Sequence, residues 1–279
     1  MITVVIPTHA RAAQVVGAVQ SVLDGARTRV EIVVVEDRTS EAGAALAPFI
    51  AAETVRYFRK TEGPPGASAT RNLGVAKATG KIILFLDDDD LMLPGYIDQL
   101  AEICGDTGCN WGFCDQFVLE SRSKVRASRS SMLTRSAFKT KIAATSAGFW
   151  IARVMFNELG GFDTMLAIDE DTDLCCRLLA RGEVPYYLKI AGVRLSRDDG
   201  IARLTADHNP ARRVACYLRT LAKNYHLLEH EKGARDFLAD RAHRAICKSG
   251  DRTALAQLSD YRVSLGLKLV WALREQRYF

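Results

Sequence analysis

Residues 81–90 read Lys81-Ile82-Ile83-Leu84-Phe85-Leu86-Asp87-Asp88-Asp89-Asp90, an apolar segment that runs directly into four carboxylates. The five apolar residues predict a short strand that is buried on both faces. Along an extended chain alternate side chains share a face, so Asp87 and Asp89 would project together, about 6.6 Å apart. They would repel each other by ~2.5 kcal/mol at an effective dielectric constant of about 20. A cation or a ligand rich in hydrogen-bond donors between them removes that repulsion. All-oxygen ligands favour Mg²⁺ or Mn²⁺, which are often shared with substrate phosphates.

The alternative for these carboxylates is a solvated acidic turn. We favour it for Asp90, which would only lead into the helix expected after Pro94. For Asp87–Asp89, the position at the carboxyl end of a buried strand favours a binding site.

The composition is typical of an ordinary globular protein. The chain has 279 residues, 48% hydrophobic and 25% charged, which is enough to bury a large core. No apolar run reaches the ~20 residues of a membrane span, and the first residues show no signal-peptide pattern. The seven cysteines form no Cys-x-x-Cys pair, which argues against structural zinc and a disulfide framework. We therefore expect a cytoplasmic protein, either free or at the inner face of the membrane.

The net charge of +5 is unevenly distributed. From Asp207 onward there are 14 basic and 8 acidic residues, whereas the first 206 residues hold 24 and 25. A basic segment of this kind can meet an anionic membrane or a nucleic acid, although most such surfaces are simply solvated. No nucleic-acid motif is present, so we expect no nucleic-acid partner.

Strands and helices alternate through the first hundred residues. Strands are predicted at 2–6, where Pro7 would break the strand, at 31–35 and at 55–58, and a Gly/Pro loop leads into a helix that ends at Ala78. This order predicts an α/β fold with a mostly parallel sheet flanked by helices. Ligands of such sheets bind beyond the carboxyl ends of the strands. Polar clusters at three of these ends should therefore converge on one crevice: Thr8–Arg11, Glu36–Ser40 and Asp87–Asp89.

Four motifs extend this pattern: Val-Val-Ile-Pro-Thr-His-Ala-Arg, Val-Glu-Asp-Arg-Thr-Ser, Ala-Thr-Arg-Asn-Leu-Gly and Phe-Leu-Asp-Asp-Asp-Asp-Leu-Met-Leu-Pro. In order and spacing they resemble the family-two inverting glycosyltransferases. The resemblance spans roughly residues 1 to 205. It implies a GT-A fold, a nucleoside diphospho-sugar donor and a Mn²⁺ or Mg²⁺ ion.

The resemblance also implies roles for single residues. Asp37 would read the base, Thr8 would contact the nucleoside, and Arg71 would contact the base or the diphosphate. Asp88 would contact the ribose and Asp89 would bind the metal. The remaining residues expected in the donor site are Pro7, His9, Arg11, Glu36 and Asp87.

Two departures from the family pattern concern the base. His9 stands where the family more often has Tyr, and Glu36-Asp37-Arg38 replaces the commoner Asp-Asp-Gly. Each site residue also has a structural alternative: Asp37 could form a turn, and Arg71 could pair with an acidic neighbour.

A second acidic segment is Asp169-Glu170-Asp171-Thr172-Asp173, which precedes apolar residues at helical spacing. The amino terminus of a helix stabilises one or two carboxylates, which is a structural alternative for part of the cluster. In the family, a Gly-Gly-Phe-Asp turn leads to a Glu-Asp pair whose Asp is the general base. The resemblance therefore implies that Asp171 and Glu170 are catalytic, and we expect Asp173 to point elsewhere. Asp199, where the family often has His, is a further metal-ligand candidate.

We expect a catalytic domain at residues 1–206, with a donor half at about 1–110 and an acceptor half at about 111–206, and a helical extension at 207–279. The basic segment 121–141 is either a solvated loop or a mobile lid. The extension would pack on the catalytic domain or on a second copy of the chain, and peripheral membrane contact is the alternative.

The predicted function is metal-dependent, inverting, non-processive glycosyl transfer from a nucleoside diphospho-sugar, with UDP favoured, to a saccharide or lipid-linked acceptor. Two alternatives remain. One is a non-catalytic sugar-nucleotide binding or scaffold protein, and the other is a nucleotidyltransferase that forms the sugar nucleotide. The latter class needs a Gly-rich basic signature after the first strand, and Thr8-His9-Ala10-Arg11 is not one.

Overall fold

A computed structural model describes residues 1–106, 109–119, 125–127, 146–183, 185–196 and 209–278. Their contacts divide them into two compact units. The first holds the described residues of Met1–Leu133, Thr145–Thr164 and Pro185–Gly200, and the second holds those of Met165–Val184 and Ile201–Phe279. The segment 165–184 therefore groups with the C-terminal helices. The division expected at residue 206 remains a prediction.

The first unit is built on one sheet of nine strands, in the order β3-β2-β1-β4-β8-β6-β9-β5, with β7 paired to β6. The strands are β1 (Ile2–Thr8), β2 (Val30–Asp37), β3 (Arg56–Lys60), β4 (Ile82–Phe85), β5 (Leu91–Met92), β6 (Trp111–Leu119), β7 (Val125–Ala127), β8 (Trp150–Ala152) and β9 (Tyr186–Leu195).

The sheet is mixed rather than purely parallel, and the parallel pairs hold most of its paired residues, as expected. The pairs β1–β2, β1–β4, β2–β3 and β6–β9 are parallel, as strand–helix–strand crossovers require. The pairs β4–β8, β5–β9, β6–β7 and β6–β8 are antiparallel. The apolar pattern of a single strand does not tell in which direction its neighbour runs. The α/β class itself is confirmed.

Helices cover the sheet of the first unit: α1 (Ala12–Gly25), α2 (Glu41–Ala45), α3 (Ala47–Ala51), α4 (Ala67–Lys77), α5 (Tyr96–Asp106) and α6 (Arg153–Glu158). In α1 the residues Val15, Ala18, Val19 and Val22 recur at helical spacing and are fully buried in the core. They pack with the β-branched side chains of β1 and β2 in one apolar cluster.

The predicted break of β1 at Pro7 is wrong. The strand continues to Thr8, with Pro7 opposite Val35 in the parallel pairing with β2. Pairing with β4 on the other side ends at Val5 opposite Phe85. Beyond that point β1 has one paired neighbour, and proline is tolerated where a strand is unpaired on one side. The extra residues carry Thr8 to the carboxyl edge of the sheet.

The second unit is helical, as predicted. It contains α7 (Glu170–Ala180), α8 (Pro210–Asn224), α9 (Lys232–Ser249), α10 (Arg252–Ala256), a 3₁₀ helix (Gln257–Asp260) and α11 (Leu265–Tyr278). Asn209 caps α8 by accepting a hydrogen bond from the Arg212 backbone N–H at 3.1 Å. Among the described residues, no helix is long and apolar enough to cross a membrane.

Candidate active site

The carboxyl ends of β1 and β4 are joined by side-chain contacts. Thr8 Oγ1 donates to Asp88 Oδ2 at 2.7 Å. Arg11 Nη1 donates to Asp88 Oδ1 at 2.9 Å and to Asp89 Oδ2 at 3.2 Å. The structure thus brings together four predicted site residues from two strand ends.

The extended geometry expected for Asp87–Asp89 is wrong. β4 ends at Phe85, and the Asp90 N–H donates to the Asp87 carbonyl at 3.1 Å, which closes a turn. Asp87 consequently faces other partners: Arg71 Nη2 at 2.5 Å and the Ser146 hydroxyl at 3.0 Å. The turn separates Asp87 from Asp89, and different arginines contact the two.

Asp90 is not the solvated residue that the sequence predicts. It is 5% exposed, and its Oδ1 accepts a hydrogen bond from the Ser196 N–H at 2.9 Å. Asp90 therefore holds the residue that follows β9 against the turn after β4.

The carboxyl end of β2 joins the same network through Asp37, which is 6% exposed. Its Oδ2 accepts a hydrogen bond from the Gly66 N–H at 2.7 Å, at the start of α4. Gly66 has φ +106, a conformation that glycine adopts without steric cost. His9 Nδ1 lies 2.7 Å from the Asp37 carbonyl oxygen. Asp37 thereby links the loop before α4 to the ends of β1 and β2.

Lys60, at the end of β3, is a member of this network that the sequence did not indicate. Its Nζ lies 2.6 Å from Asp37 Oδ1, and both side chains are almost fully buried. The register of the parallel pair β2–β3 places Asp37 opposite Lys60. The predicted third strand ended at Phe58, two residues short of this lysine.

Pro7 and Glu36 are buried and belong to the scaffold of the site in this structure. Pro7 lies within β1. The Glu36 carboxylate accepts hydrogen bonds from the Thr39 and Tyr57 hydroxyls and from the N–H groups of Ala42 and Gly43. Glu36 is 0% exposed. Its contact with the sugar-nucleotide donor stays a prediction.

Arg71 is placed by close packing of α4 on the sheet. A Cβ at Gly74, one turn along the helix, would lie 2.4 Å from Val5 Cγ1, so only glycine allows this approach. Asn72 exchanges two hydrogen bonds of 2.9 Å with the backbone of Phe162, in the predicted Gly-Gly-Phe-Asp turn. The central carbon of the Arg71 guanidinium lies 5.9 Å from the centroid of the Phe162 ring. Residue Arg71 as a whole is 4% exposed. It is therefore a rigidly held cation beside Asp87.

We call Thr8, Arg11, Asp37, Arg71, Asp87, Asp88 and Asp89 the strand-end cluster. Burial raises the pKa of Asp88, while the hydrogen bond from Thr8 and the charge of Arg11 oppose that rise. Three of its carboxylates, Asp87, Asp88 and Asp89, face two arginines, so this part of the cluster carries an excess of negative charge that suits a cation.

A divalent ion fits this donor set chemically, because carboxylate oxygens are hard ligands. Asp89 Oδ2 contacts Arg11, and no described residue donates a hydrogen bond to its Oδ1. Among the described residues, however, there is no group of three or more His, Cys, Asp or Glu side chains close enough together to hold a metal ion. The predicted ligand Asp199 lies outside the described residues.

The second acidic segment lies in the second unit. Asp169 precedes α7, and Glu170, Asp171 and Asp173 occupy its first turn. Asp171 Oδ1 accepts a hydrogen bond from the Thr172 N–H at 2.7 Å, and its side chain is partly exposed. Asp171 is thus an anchored carboxylate that solvent can reach. We call residues Asp169–Thr172 the acid turn.

Asp173 points away from solvent and has a structural role. It is 0% exposed and ion-paired with Arg177 Nη2 at 2.8 Å and Lys223 Nζ at 2.9 Å. Asn224 Nδ2 also donates to it at 2.9 Å. These contacts hold α7 to α8, so Asp173 belongs to the packing of these two helices.

The predicted basic segment 121–141 lies outside the described residues, apart from the backbone of β7.

Comparison with known proteins gives the family of this chain. A family model described as "Glycosyl transferase family 2" matches residues 3–160, more than half of the chain. The chain belongs to glycosyl transferase family 2. The matched residues include the whole strand-end cluster.

Sequence relatives carry related names. "Succinoglycan biosynthesis protein ExoO" of Rhizobium meliloti is 29% identical over 198 residues, which cover 65% of this chain and 56% of ExoO. An "Uncharacterized glycosyltransferase" of Rickettsia bellii is 37% identical over 92 residues, which cover 32% of this chain and 13% of that protein. The match thus spans about half the length of ExoO and a much smaller part of the Rickettsia bellii protein.

Solved structures share the fold. S. aureus TarS 1-349 in complex with UDP-GlcNAc superposes with a TM-score of 0.69 at 15% identity, covering 98% of this chain and 79% of that one. The mannosyltransferase PcManGT from Pyrobaculum calidifontis, in complex with GDP-Man and Mn²⁺, gives 0.63 at 18% identity, covering 98% and 78%. The predicted GT-A fold is confirmed.

Proposed function

We propose that this protein is a metal-dependent, inverting, non-processive glycosyltransferase that uses a nucleoside diphospho-sugar, preferably a UDP-sugar. The observation that carries the proposal is the strand-end cluster. At the carboxyl edge of the sheet, where α/β proteins bind their ligands, hydrogen bonds join the end of β1 to the turn after β4, helix α4 to that same turn, and the end of β2 to the loop before α4.

The donor would lie along this edge. Asp37, at the end of β2, would contact the base, Thr8 the nucleoside and Asp88 the ribose. Arg11 and Arg71 are the cations beside the carboxylates that could pair with a diphosphate. Asp89, with Asp199 as a further candidate, would hold a Mn²⁺ or Mg²⁺ ion, which would neutralise charge on the leaving diphosphate.

Asp171 would act as the general base. Its Oδ1 is anchored by the Thr172 N–H, and its Oδ2 has no hydrogen-bond donor among the described residues. That oxygen would accept the proton of the acceptor hydroxyl as the hydroxyl oxygen attacks the anomeric carbon from the face opposite the diphosphate. Glu170 precedes it in the same turn and is the next candidate.

The names of the relatives agree with this assignment. The TarS structure is a complex with UDP-GlcNAc, and the PcManGT structure is a complex with GDP-Man and Mn²⁺. ExoO is named for succinoglycan biosynthesis. For this chain we propose a saccharide or a lipid-linked acceptor. We also propose a cytoplasmic location, since all seven cysteines are free.

A non-catalytic sugar-nucleotide binding protein is the second candidate, because the strand-end cluster alone accounts only for donor binding. The anchored carboxylate of Asp171 favours the enzyme. A nucleotidyltransferase is disfavoured, since the loop after β1 contains no glycine.

Stabilisation by donors tests the proposal. We expect at least one nucleoside diphospho-sugar, tested with Mn²⁺, to raise the melting temperature of the protein. A donor at ~100 times its dissociation constant adds ~2.7 kcal/mol to the free energy of unfolding. The free sugars and the nucleoside monophosphates are the controls and should have smaller effects. A protein stabilised by none of the UDP-, GDP- and dTDP-sugars would contradict a donor site.

A further inference from the structure

The acid turn begins in a strained conformation. Asp169 has φ 77, in the left-handed region that residues with a Cβ seldom adopt. It stands at the position before the helix, where an extended conformation is usual, and its side chain makes no capping hydrogen bond. Something other than helix capping must hold the turn in place.

Arg241, on α9, supplies that contact. Its Nη1 lies 2.5 Å from Asp169 Oδ1 and also donates to Thr172 Oγ1 at 2.7 Å. The Asp169 side chain is 1% exposed, and neither of its oxygens accepts a hydrogen bond with good geometry. The ion pair is therefore the main compensation for burying this carboxylate.

The guanidinium of Arg241 is itself fixed. Its central carbon lies 4.5 Å from the centroid of the Tyr217 ring on α8 and 6.0 Å from that of Phe237 on α9. Burial raises the pKa of Asp169 to about 6, although Arg241 acts to lower it. The pair thus joins a buried carboxylate of the acid turn to a partly exposed arginine of α9.

One guanidinium contacts the two residues that bracket Glu170 and Asp171. Thr172, held through its hydroxyl by Arg241, donates its backbone N–H to Asp171 Oδ1 at 2.7 Å. The chain of contacts Arg241–Thr172–Asp171 fixes the direction in which the Asp171 carboxylate points.

We propose that Arg241 is a positioning residue for the general base, so that the C-terminal helices hold the catalytic carboxylate in its productive orientation. The inference rests on the proposed role of Asp171. The contacts of Arg241 with the acid turn are to Asp169 and Thr172, and through these two residues it would position Asp171.

The test is a double variant, Asp169→Asn with Arg241→Met. Arg241→Met alone would leave a buried carboxylate without its cation, which strongly destabilises a fold. The double variant removes both charges. We expect turnover to fall by about 10²-fold, as for a ~1 Å displacement of a reacting group, with unchanged donor affinity. Amide hydrogen exchange should accelerate in residues 169–173 and stay unchanged in β1 and β4.

Lys223→Met is the matched control, since it removes a cation from Asp173 that Arg177 and Asn224 still contact. It should leave turnover near the parent value. Equal losses of turnover in Lys223→Met and the double variant would reduce Arg241 to a general packing role and overturn the inference.

Asp171→Asn, measured beside them, separates this inference from the proposed function. A double variant that turns over at the parent rate, while Asp171→Asn is slow, overturns the role of Arg241 and leaves the general base intact. Parent-like turnover in Asp171→Asn removes the general base, and with it the inference.

Discussion

Replacing Asp171 by Asn should lower the turnover number by ~10²–10⁴-fold, the usual contribution of a general base. The amide keeps the size of the carboxylate and can still accept the hydrogen bond from the Thr172 N–H, so the acid turn should keep its fold. A general base acts in the chemical step only, so donor affinity should stay at the parent value. Steady-state transfer rates and donor titrations measure the two quantities.

The control for Asp171→Asn is Asp260→Asn, because Asp260 is an exposed carboxylate of the same unit. It should transfer sugar at the parent rate. If Asp171→Asn is as fast as this control, the base lies elsewhere, and Glu170 would be the next carboxylate to replace.

The second large effect concerns the metal. With Mn²⁺, a UDP-sugar at ~100 times its dissociation constant should raise the free energy of unfolding by ~2.7 kcal/mol, and most of that gain should vanish in EDTA. Asp89→Asn should behave in Mn²⁺ as the parent does in EDTA, because its carboxylate is the proposed metal ligand. Thermal melts with the four combinations of protein and additive measure the difference.

The fold should survive Asp89→Asn, since Arg11 keeps its contact with Asp88 at 2.9 Å. Asp24→Asn, at an exposed position of α1, is the matched control. Equal donor stabilisation in Mn²⁺ and in EDTA would show that the strand-end cluster binds the donor without a metal.

The sequence predicted the edge of the sheet well, because the apolar runs of β1, β2 and β4 end in polar residues that a parallel arrangement must bring together. It did not predict the turn at Asp87–Asp90. That turn depends on a hydrogen bond between the Asp90 N–H and the Asp87 carbonyl, and an apolar run followed by four identical residues does not indicate where the backbone bends.

Contacts between residues that are far apart in the sequence could not be predicted for a related reason. Lys60 pairs with Asp37 because of strand register, and Arg241 meets Thr172 from 69 residues away. The sequence predicted a helical extension at 207–279 but could not tell which earlier turn the helix α9 contacts. The acid segment could be recognised from its residues, whereas the cation that holds it could not.

Product formation by the parent protein tests the central claim most directly. With Mn²⁺, a UDP-sugar and a hydroxyl acceptor, the proposed function predicts equal amounts of UDP and glycoside, with inverted configuration at the anomeric carbon. Chromatography of the nucleotide and NMR spectroscopy of the glycoside give both quantities. A donor that binds but remains intact with every saccharide and lipid-linked acceptor would contradict the claim and favour a sugar-nucleotide binding protein.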